Sequence, residues 1–396
     1  EMIFMIDIQK EAEAISKEVI GFRRYFHQHP EPGMQEYVTS AGIREALDQM
    51  GIPWRLYGET GISADIGRGK KMIALRADMD ALAVTEKTGV PYASKTPGMM
   101  HACGHDAHIA ALLGAAKILK AHEDELTVTV RCIFQPSEEN CLGAKMMCEE
   151  GALDGVSEIY GIHIFTDIPA GMISVEPGAR MASTSSFQVT IRGQSGHGAK
   201  PQQCVDATVA GAAAVMNLQS IISREIDPVD SAVVTVGHFT SGSQYNIISG
   251  EAFFEGTVRA FSQDTAQQIE AALRRVVSST AQAYRAKAHV DFAKALHPVV
   301  INDEALTAKV HDSAEAFFGK DRMIHVPPMM IGEDFSVYQA KIPGVFMFVG
   351  GRNPIIGCGY PNHHECFNID ERVLTDCVML HLLAVTSAQT SGGNHD

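Results

Sequence analysis

The chain of 396 residues lacks several features that mark particular protein classes. Its eight cysteines are scattered and no two form a C-x-x-C pair, which argues against a disulfide framework and favours a reducing compartment. No apolar run approaches the roughly 18 residues of a membrane span. The start has no basic stretch followed by a cleavage site. From these absences we expect a cytoplasmic protein.

The chain also lacks an excess of positive charge. Its 47 acidic residues outnumber its 32 lysines and arginines, which gives a formal net charge of -15 at pH 7. Nucleic acids and anionic membranes are normally bound through a basic surface. A chain in which acidic residues outnumber lysines and arginines is not expected to form such a surface. We therefore expect neither as a partner.

The length predicts two domains, because a chain of this size usually exceeds one compact core. Up to about residue 180, helical and strand patterns alternate along the chain. Helical spacing covers residues 15–26, 40–50 and 105–122, and strand-like apolar runs cover 62–66, 72–75, 127–134 and 159–164. This alternation predicts an α/β domain with a mixed, mostly parallel sheet and helices on both of its faces.

The middle of the chain follows a different pattern. Strand-like runs at 187–191, 232–239, 252–259 and 289–292 alternate with helical stretches at 205–222 and 265–284. The resulting β-α-β-β-α-β order is typical of a small split sheet with two helices on one face. Further helix and strand patterns follow at 304–318, 345–349 and 371–388. We predict a first domain of residues 1–182 and 296–396, interrupted by an inserted domain of residues 183–295.

Side chains that bind metals follow several of the predicted strands or lie in nearby loops. They are Asp78 and Asp80, Cys103 and His105, Glu138 and Glu139, His163, and the segment Asn362-His363-His364-Glu365. The carboxyl ends of parallel strands meet at one edge of a sheet, where ligands gather. Thiolate, imidazole and carboxylate groups converging there suit a divalent metal of the zinc type.

Each of these features also has a simpler explanation. A lone cysteine is often a small buried hydrophobic residue, a single histidine is often a core or surface residue, and adjacent acids such as Glu138 and Glu139 are common on surfaces. The nine residues from Met100 to His108 contain three histidines, a cysteine and an aspartate, which favours a site over chance. A thiol enzyme with Cys103 as its nucleophile is an alternative way to use this segment.

Eight segments spread over nearly the whole chain resemble the motifs of a known family. They are Arg23-Arg24-x-x-His27-x-x-Pro30-Glu31, Leu75-Arg76-Ala77-Asp78-Met79-Asp80-Ala81-Leu82, Met100-His101-Ala102-Cys103-Gly104-His105-Asp106, Gln135-Pro136-x-Glu138-Glu139, Gly196-His197-x-Ala199-x-Pro201, Asn246-Ile247-Ile248, Gly256-Thr257-Val258-Arg259 and Gly332-Glu333-Asp334-Phe335. The Cys-Gly-His-Asp segment and the Glu pair are the most specific. On these motifs the chain resembles the M20 family of metallopeptidases, and within it the aminoacylase-like amidohydrolases (the hippurate and indole-acetyl-amino-acid hydrolase group).

The resemblance implies two divalent metal ions per subunit, bridged by the thiolate of Cys103. The ligands that it implies are Cys103, His105, Glu139, His163 and a histidine near the C-terminus. This last ligand is His363 if the segment aligns on Phe367, with the adjacent His364 as the alternative. Asp78 and Asp80 are expected to orient the histidine ligands. Zinc is the first expectation from the softness of the ligands, with manganese, nickel or cobalt as alternatives.

The resemblance also implies roles for residues that do not bind the metals. Glu138 is expected to act as the general base beside the metal-bound water. His197, in the inserted domain, is expected to stabilise the oxyanion, either after domain closure or from another subunit. Asn246 and Arg259 are expected to bind the carboxylate of the substrate. An arginine at a strand end is also commonly structural, so both interpretations of Arg259 stay open.

The predicted reaction is hydrolysis of an N-acyl or N-aroyl amino acid to a carboxylic acid and a free amino acid. A dipeptidase or carboxypeptidase with the same dinuclear site is the alternative within this chemistry. A catalytically silent metal- or substrate-binding protein is the alternative from another class. Glu138 argues against the silent protein, because metal binding alone does not require it.

The resemblance implies that the inserted domain serves as a lid and dimerisation domain, in a homodimer or a dimer of dimers. The chain departs from the usual family pattern at residues 140–143, at Ser249 and at Glu365. The last two stand where proline is common in the family. These departures bear on substrate preference more than on the metal site.

Overall fold

A computed structural model of the chain describes residues 6–292 and 297–389. These residues separate into two compact units. The first unit contains residues 6–180, 301–327 and 334–389, and the second contains Met181–Val300 and Pro328–Glu333. The predicted boundary between residues 295 and 296 lies outside the described residues.

The described residues contain ten α-helices, in chain order α1 (Ile8–Ala14), α2 (Ser16–Gln28), α3 (Tyr37–Gln49), α4 (His105–Ala121), α5 (Gly143–Glu149), α6 (Ala207–Arg224), α7 (Gln263–Ala283), α8 (Glu304–Phe318), α9 (Phe335–Gln339) and α10 (Val373–Gln389). Three of the longer helices begin at a side-chain cap. Asp206, Ser262 and Asp303 accept backbone N–H groups in the first turns of α6, α7 and α8, which satisfies donors that a helix start leaves without partners.

Fifteen strands lie in the same described part of the chain. They are β1 (Trp54–Tyr57), β2 (Gly61–Ile66), β3 (Lys71–Asp78), β4 (Val128–Gln135), β5 (Val156–Pro169), β6 (Ile173–Ser174), β7 (Gly178–Met181), β8 (Ser183–Arg192), β9 (Gly196–His197), β10 (Ala232–Ser241), β11 (Ile247–Ile248), β12 (Glu251–Ala260), β13 (Lys287–Phe292), β14 (Val300–Asn302) and β15 (Gly344–Arg352).

The first unit is built on a seven-stranded sheet with the order β1-β2-β4-β3-β5-β15-β6. The four neighbouring strands β4, β3, β5 and β15 run parallel. The strands β1, β2 and β6 are antiparallel to their neighbours. The sheet is therefore mixed with a parallel centre, and the predicted fold class is confirmed. The carboxyl ends of the four central strands share one edge, as the sequence argument required.

Helices cover both faces of this sheet. Leu75 and Ala77 of β3 lie in the large apolar core that also contains residues of α2, α4 and α10. Arg76, between them, points to the opposite face because side chains alternate along a strand. On that face Arg76 Nη2 donates to Asp334 Oδ1 at 2.9 Å, next to α9. The buried pattern of β3, which has no solvated face, is typical of a strand covered on both sides.

One predicted strand is longer in the structure than the sequence indicates. The apolar run 159–164 lies within β5, which extends to Pro169. Strand β5 pairs with β15 over most of this length, whereas its pairing with β3 ends at Gly161. His163 therefore lies within β5 but beyond the end of its pairing with β3, and not at the end of the strand as predicted.

The second unit contains a four-stranded antiparallel sheet with the order β10-β12-β8-β13. Along the chain, β8, α6, β10, β12, α7 and β13 follow the predicted β-α-β-β-α-β order. Alternate residues of β8, including Phe187 and Val189, join α6 and α7 in one apolar core. The two short strands β9 and β11 form a separate antiparallel pair. In neither unit is a described helix long and apolar enough to cross a membrane.

Candidate metal centre

Cys103 and His105 lie at the start of helix α4. Gly104 between them has a φ of +92°, a left-handed conformation that glycine adopts readily. Both side chains are buried, with 9% and 0% of the residue exposed. His105 Nδ1 lies 2.9 Å from the backbone oxygen of Asp80. When Nδ1 carries the proton, its N–H donates a hydrogen bond to that oxygen, and the lone pair of Nε2 is free to bind a metal.

The thiol of Cys103 lies between two further histidines. His163 Nε2 is 3.5 Å and His363 Nε2 is 3.3 Å from Cys103 Sγ. His163 Nδ1 lies 3.0 Å from the oxygen of Ile164, so Nε2 is again the nitrogen that faces the thiol. Cys103 thereby belongs to two groups of potential ligand atoms that lie within 4.8 Å of one another. These groups are Cys103 with His105 and His163, and Cys103 with Glu139 and His363.

Glu138 and Glu139 lie in the turn that follows β4. The carboxylate of Asp80 accepts both of their backbone N–H groups, each at 3.0 Å, one on each oxygen. Glu139 Oε1 is 3.4 Å from His363 Nε2, and Glu138 Oε2 is 4.0 Å from His105 Nε2. These two contacts pair the neighbouring glutamates with different histidines, and a further group of potential ligand atoms within 4.8 Å contains both glutamates with His105.

The structure places His363 rather than His364 beside Cys103. His363 has a φ of +70°, and its N–H donates to the oxygen of Ala102 at 2.7 Å. His364 lies elsewhere, because its ring stacks on Tyr360 at 4.6 Å between centroids and its Nδ1 accepts the N–H of Cys366. His363 is also the most open member of the cluster, with 55% of its side chain exposed.

The charges around the cluster favour a cation. Hydrogen bonds to Cys103 and Glu139 raise the pKa of His363 to about 10. Burial holds the pKa of His163 well below its ordinary value, which keeps that imidazole neutral. An imidazole has to be neutral to bind a metal, and a bound cation would compete with the proton on His363 for the same anionic groups.

The three other residues that the sequence singled out lie in the second unit. His197 is on β9, is exposed, and its Nδ1 accepts the N–H of Ala199 at 3.0 Å. Asn246 directly precedes β11, the strand that pairs with β9. Arg259 is on β12 of the larger sheet, and its Nη1 donates to Thr184 Oγ1 on β8 at 2.8 Å. Within this unit His197 and Asn246 therefore lie close together, whereas Arg259 is hydrogen-bonded to Thr184 on the larger sheet.

Sequence reasoning missed the role of His108. Its Nδ1 lies 2.6 Å from Asp78 Oδ1, and its Nε2 accepts the N–H of Ile164 at 3.0 Å. Asp78 Oδ2 is 3.7 Å from His105 Nε2, so the shortest contact of Asp78 with a histidine is to His108 and not to a predicted ligand. The spacing of His108, three residues after His105, could have shown that the two histidines share one helix face. It gives no sign of the pairing with Asp78.

The role of Asn362 was missed as well, although the residue belongs to the segment 362–365 that the sequence singled out. Its Nδ2 donates to the backbone oxygens of Cys103 and Ile164, both at 3.2 Å. Its Oδ1 accepts the N–H of Thr166 at 3.2 Å. One amide therefore ties the loop before α4 to strand β5, next to His363. Only its position beside His363 in the sequence could have drawn attention to it.

The residues of the cluster fit divalent metal ions. One thiol, three imidazoles and a carboxylate are the donor types that zinc and similar ions prefer. His105 Nε2 is buried and has no hydrogen-bond partner within the described ranges. A buried polar atom without a partner is costly, and a cation at this position would remove that cost.

Known proteins resemble this chain over most of its length. A model of the family described as Peptidase family M20/M25/M40 matches residues 74–386. The protein named IAA-amino acid hydrolase ILR1-like 4 from Arabidopsis thaliana is 39% identical over 373 residues, which are 93% of this chain and 85% of that protein. N-acetyl-L-cysteine deacetylase from Bacillus subtilis (strain 168) is 40% identical over 363 residues, 91% of this chain and 85% of that protein.

A solved structure shares the fold over nearly the same range. It is a Bacillus subtilis protein described as a dinuclear metal binding peptidase from the M20 family. The two chains align with a TM-score of 0.85 and 35% identity, covering 96% of this chain and 99% of that one. The likeness therefore covers both units of the fold.

A matched pair of variants tests the choice between the two adjacent histidines. His363→Ala is expected to bind less metal per chain than the wild type, because it removes the imidazole beside Cys103 and Glu139. His364→Ala is expected to keep the wild-type amount. The measurement is elemental analysis after dialysis against metal-free buffer. Equal metal loss in both variants, or a loss confined to His364→Ala, would contradict the geometry described above.

Proposed function

The chain belongs to peptidase family M20/M25/M40 and is a metal-dependent amidohydrolase, and on that premise we propose that it hydrolyses N-acyl or N-aroyl amino acids. The products are a carboxylic acid and a free amino acid. The observation that carries the proposal is the Cys103 cluster with the carboxylate of Glu138, the proposed base, beside it. The two relatives at 39% and 40% identity are named for acylated amino acid substrates, which supports this substrate class.

We propose that five residues hold two divalent ions per subunit, zinc before manganese, nickel or cobalt. They are Cys103, His105, Glu139, His163 and His363, and the thiolate of Cys103 is the shared ligand. Support comes from the two groups of ligand atoms that have Cys103 in common. When bound, the ions polarise the scissile carbonyl and lower the pKa of the attacking water.

Glu138 is the proposed proton carrier of the reaction. It takes a proton from the attacking water and later delivers that proton to the nitrogen of the leaving amino acid. Only 7% of the residue is exposed, and its carboxylate is 4.0 Å from the imidazole of His105. Because Asp80 holds the N–H groups of both glutamates, the base and the adjacent ligand have a common anchor.

His197, Asn246 and Arg259 are the proposed substrate-binding groups. The Nδ1 of His197 accepts the N–H of Ala199, so the neutral ring carries its proton on Nε2. That proton is available to the carbonyl oxygen as it gains negative charge. Asn246 and the guanidinium fork of Arg259 suit the carboxylate of an N-acyl amino acid.

We further propose a cytoplasmic homodimer, or a dimer of dimers, that assembles through the second unit acting as a lid and dimerisation domain. Helix α6 supports this assembly, since Val209 and Met216 on its surface are 48% and 71% exposed. Apolar side chains exposed together on a helix are typical of a surface that contacts another protein.

A substrate panel tests the reaction. The metal-loaded protein is expected to hydrolyse N-acetyl and N-benzoyl amino acids with a higher kcat/KM than dipeptides, measured as release of the free amino acid. A chelator should abolish this activity and a divalent metal should restore it. Preference for dipeptides would support the peptidase alternative. Full activity after verified metal removal would contradict a metal-dependent reaction, and no turnover of any substrate would favour a silent binding protein.

The two neighbouring glutamates are expected to differ when each is changed to glutamine. Glu138→Gln should keep its metal and lose about 10²–10⁴-fold in kcat, because the proton carrier is removed. Glu139→Gln should lose metal, because a ligand loses its charge. Metal content and kcat are measured on the same preparations. Equal metal loss in the two variants would show that the roles are assigned wrongly.

Mixed dimers test whether His197 acts on the site of a partner subunit. His197→Ala alone is expected to keep its metal and lose activity, since about 3 kcal/mol of oxyanion stabilisation is removed. Glu138→Gln alone is also nearly inactive. After subunit exchange, one site of each heterodimer combines an intact Glu138 with an intact His197, so about a quarter of the wild-type activity should return. Verified heterodimers without recovered activity would exclude this role in trans.

A further inference from the structure

The turn that carries Glu138 is held by two buried carboxylates. Three successive backbone N–H groups, those of Ser137, Glu138 and Glu139, point to carboxylate oxygens rather than to backbone oxygens. Asp80 accepts the second and third of them. The first is accepted by Glu36, a residue from a distant segment, at 2.8 Å from its Oε1. A tight turn that leaves three N–H groups to side chains depends on those side chains for its shape.

Glu36 is buried, and its carboxylate accepts three hydrogen bonds. Its Oε1 also accepts the N–H of Met34 at 3.0 Å, and its Oε2 accepts the hydroxyl of Thr60 at 2.8 Å. Its residue is 0% exposed. Although Glu36 directly precedes helix α3, its side chain does not cap that helix. The carboxylate therefore accepts hydrogen bonds from three residues, and one of them is Ser137, the residue before Glu138.

The backbone at Ser137 needs such support. Ser137 has a φ of +53°, a left-handed conformation that costs free energy for any residue with a Cβ atom. The turn is also tightly packed against the segment before α3, because a Cβ added to Gly33 would lie 2.6 Å from Ser137 Oγ and 3.1 Å from Ser137 Cα. Strained backbone next to a reacting group persists only where its surroundings hold it.

We propose that Glu36 is a positioning residue for catalysis, which holds Ser137 in its left-handed conformation and thereby directs the carboxylate of Glu138. This inference rests on the proposed role of Glu138 as proton carrier. Within the described residues the side chain of Glu36 is hydrogen-bonded to Met34, Thr60 and Ser137, none of which is a proposed metal ligand. Glu36 would therefore act through the turn. Its removal should therefore change the rate of the chemical step and leave substrate binding and metal content in place.

Two substitutions of similar shape separate the hydrogen bonds from the space that Glu36 fills. Glu36→Gln keeps an acceptor oxygen for Met34 and Ser137, and its amide group can donate to Thr60 Oγ1. Glu36→Met has a similar length but no strong acceptor, so the N–H of Ser137 stays buried without its partner. We expect near-wild-type kcat for Glu36→Gln. For Glu36→Met we expect a loss of kcat on the order of 10²-fold, with KM and metal content unchanged.

Glu31→Met is the matched control for lost stability. The carboxylate of Glu31 accepts the N–H groups of Val38 and Thr39 at 3.0 Å and 2.9 Å at the start of the same helix. These side-chain hydrogen bonds do not involve the turn that carries Glu138. Glu31→Met should lower the Tm to a similar extent as Glu36→Met while its kcat stays near that of the wild type. Equal kcat losses in both variants would show that Glu36 has only a structural role and would overturn the proposal.

A double-mutant cycle connects Glu36 to Glu138. In the Glu138→Gln background, Glu36→Met should cost no further kcat, because the group that Glu36 positions is already absent. An additive further loss would overturn the proposal. If Glu138→Gln is itself fully active, the proposed role of Glu138 fails. If Glu138→Gln is inactive and Glu36→Met has wild-type kcat, only the inference on Glu36 fails.

A second variant covers the case in which Glu36→Met does not fold. Gly33→Ala leaves Glu36 intact but places a methyl group 2.6 Å from Ser137 Oγ, 2.8 Å from Asn140 Nδ2 and 3.1 Å from Ser137 Cα. Both side chains have to move, and the backbone at Ser137 has to give way by a few tenths of an ångström. Folded, metal-loaded Gly33→Ala is expected to lose kcat with little change in KM. Wild-type kcat in that variant would show that the geometry of this turn does not limit the reaction, and would overturn the proposal.

Discussion

The geometry of the site depends on Asp80, which follows the central strand β3 by two residues. Its backbone oxygen faces His105 Nδ1, and its two carboxylate oxygens accept the N–H groups of Glu138 and Glu139. One residue thus orients a proposed metal ligand and anchors the turn that carries the proposed base. Asp80 reaches both because β3 and β4 are neighbouring parallel strands whose carboxyl ends lie side by side.

Around this centre the first unit contains buried ion pairs rather than apolar packing alone. Arg76 and Arg23 are both almost fully buried. Arg76 is bonded to Asp78 and Asp334, and Arg23 to Asp106 in the first turn of α4. Breaking such a pair costs about 3–5 kcal/mol, because one charge stays behind without its partner. These arginines also offset the negative charge that a site rich in carboxylates concentrates at one sheet edge.

The second unit has a different physical character. Its antiparallel sheet buries one face against α6 and α7 and leaves the other open, as the alternating exposure along β13 shows. The residues proposed for substrate binding lie on its short strand β9, before β11 and on β12. The proposed metal ligands all come from the first unit. The residues proposed for the chemistry and those proposed for substrate recognition therefore belong to two separately packed cores.

The sequence by itself determined the order and type of the main elements and the set of candidate ligands. Both depend on local patterns: the spacing of apolar residues reports which face of an element is buried, and clusters such as residues 100–108 are visible within a single segment. The β-α-β-β-α-β order of the second unit and the parallel centre of the large sheet followed from the same local information. Short strands such as β6, β9 and β11 carry too few residues to show a period.

Only the tertiary structure decided which groups from distant segments meet. His363 and His364 are adjacent in the sequence, where only an alignment on Phe367 favours His363. In the structure the choice follows from the hydrogen bond between His363 and Ala102 and from the left-handed backbone of His363. The pairing of His108 with Asp78, and of Glu36 with Ser137, joins residues 30 and 101 positions apart. Such contacts depend on how strands and helices pack in three dimensions, and the periodicity of apolar residues along the chain does not indicate them.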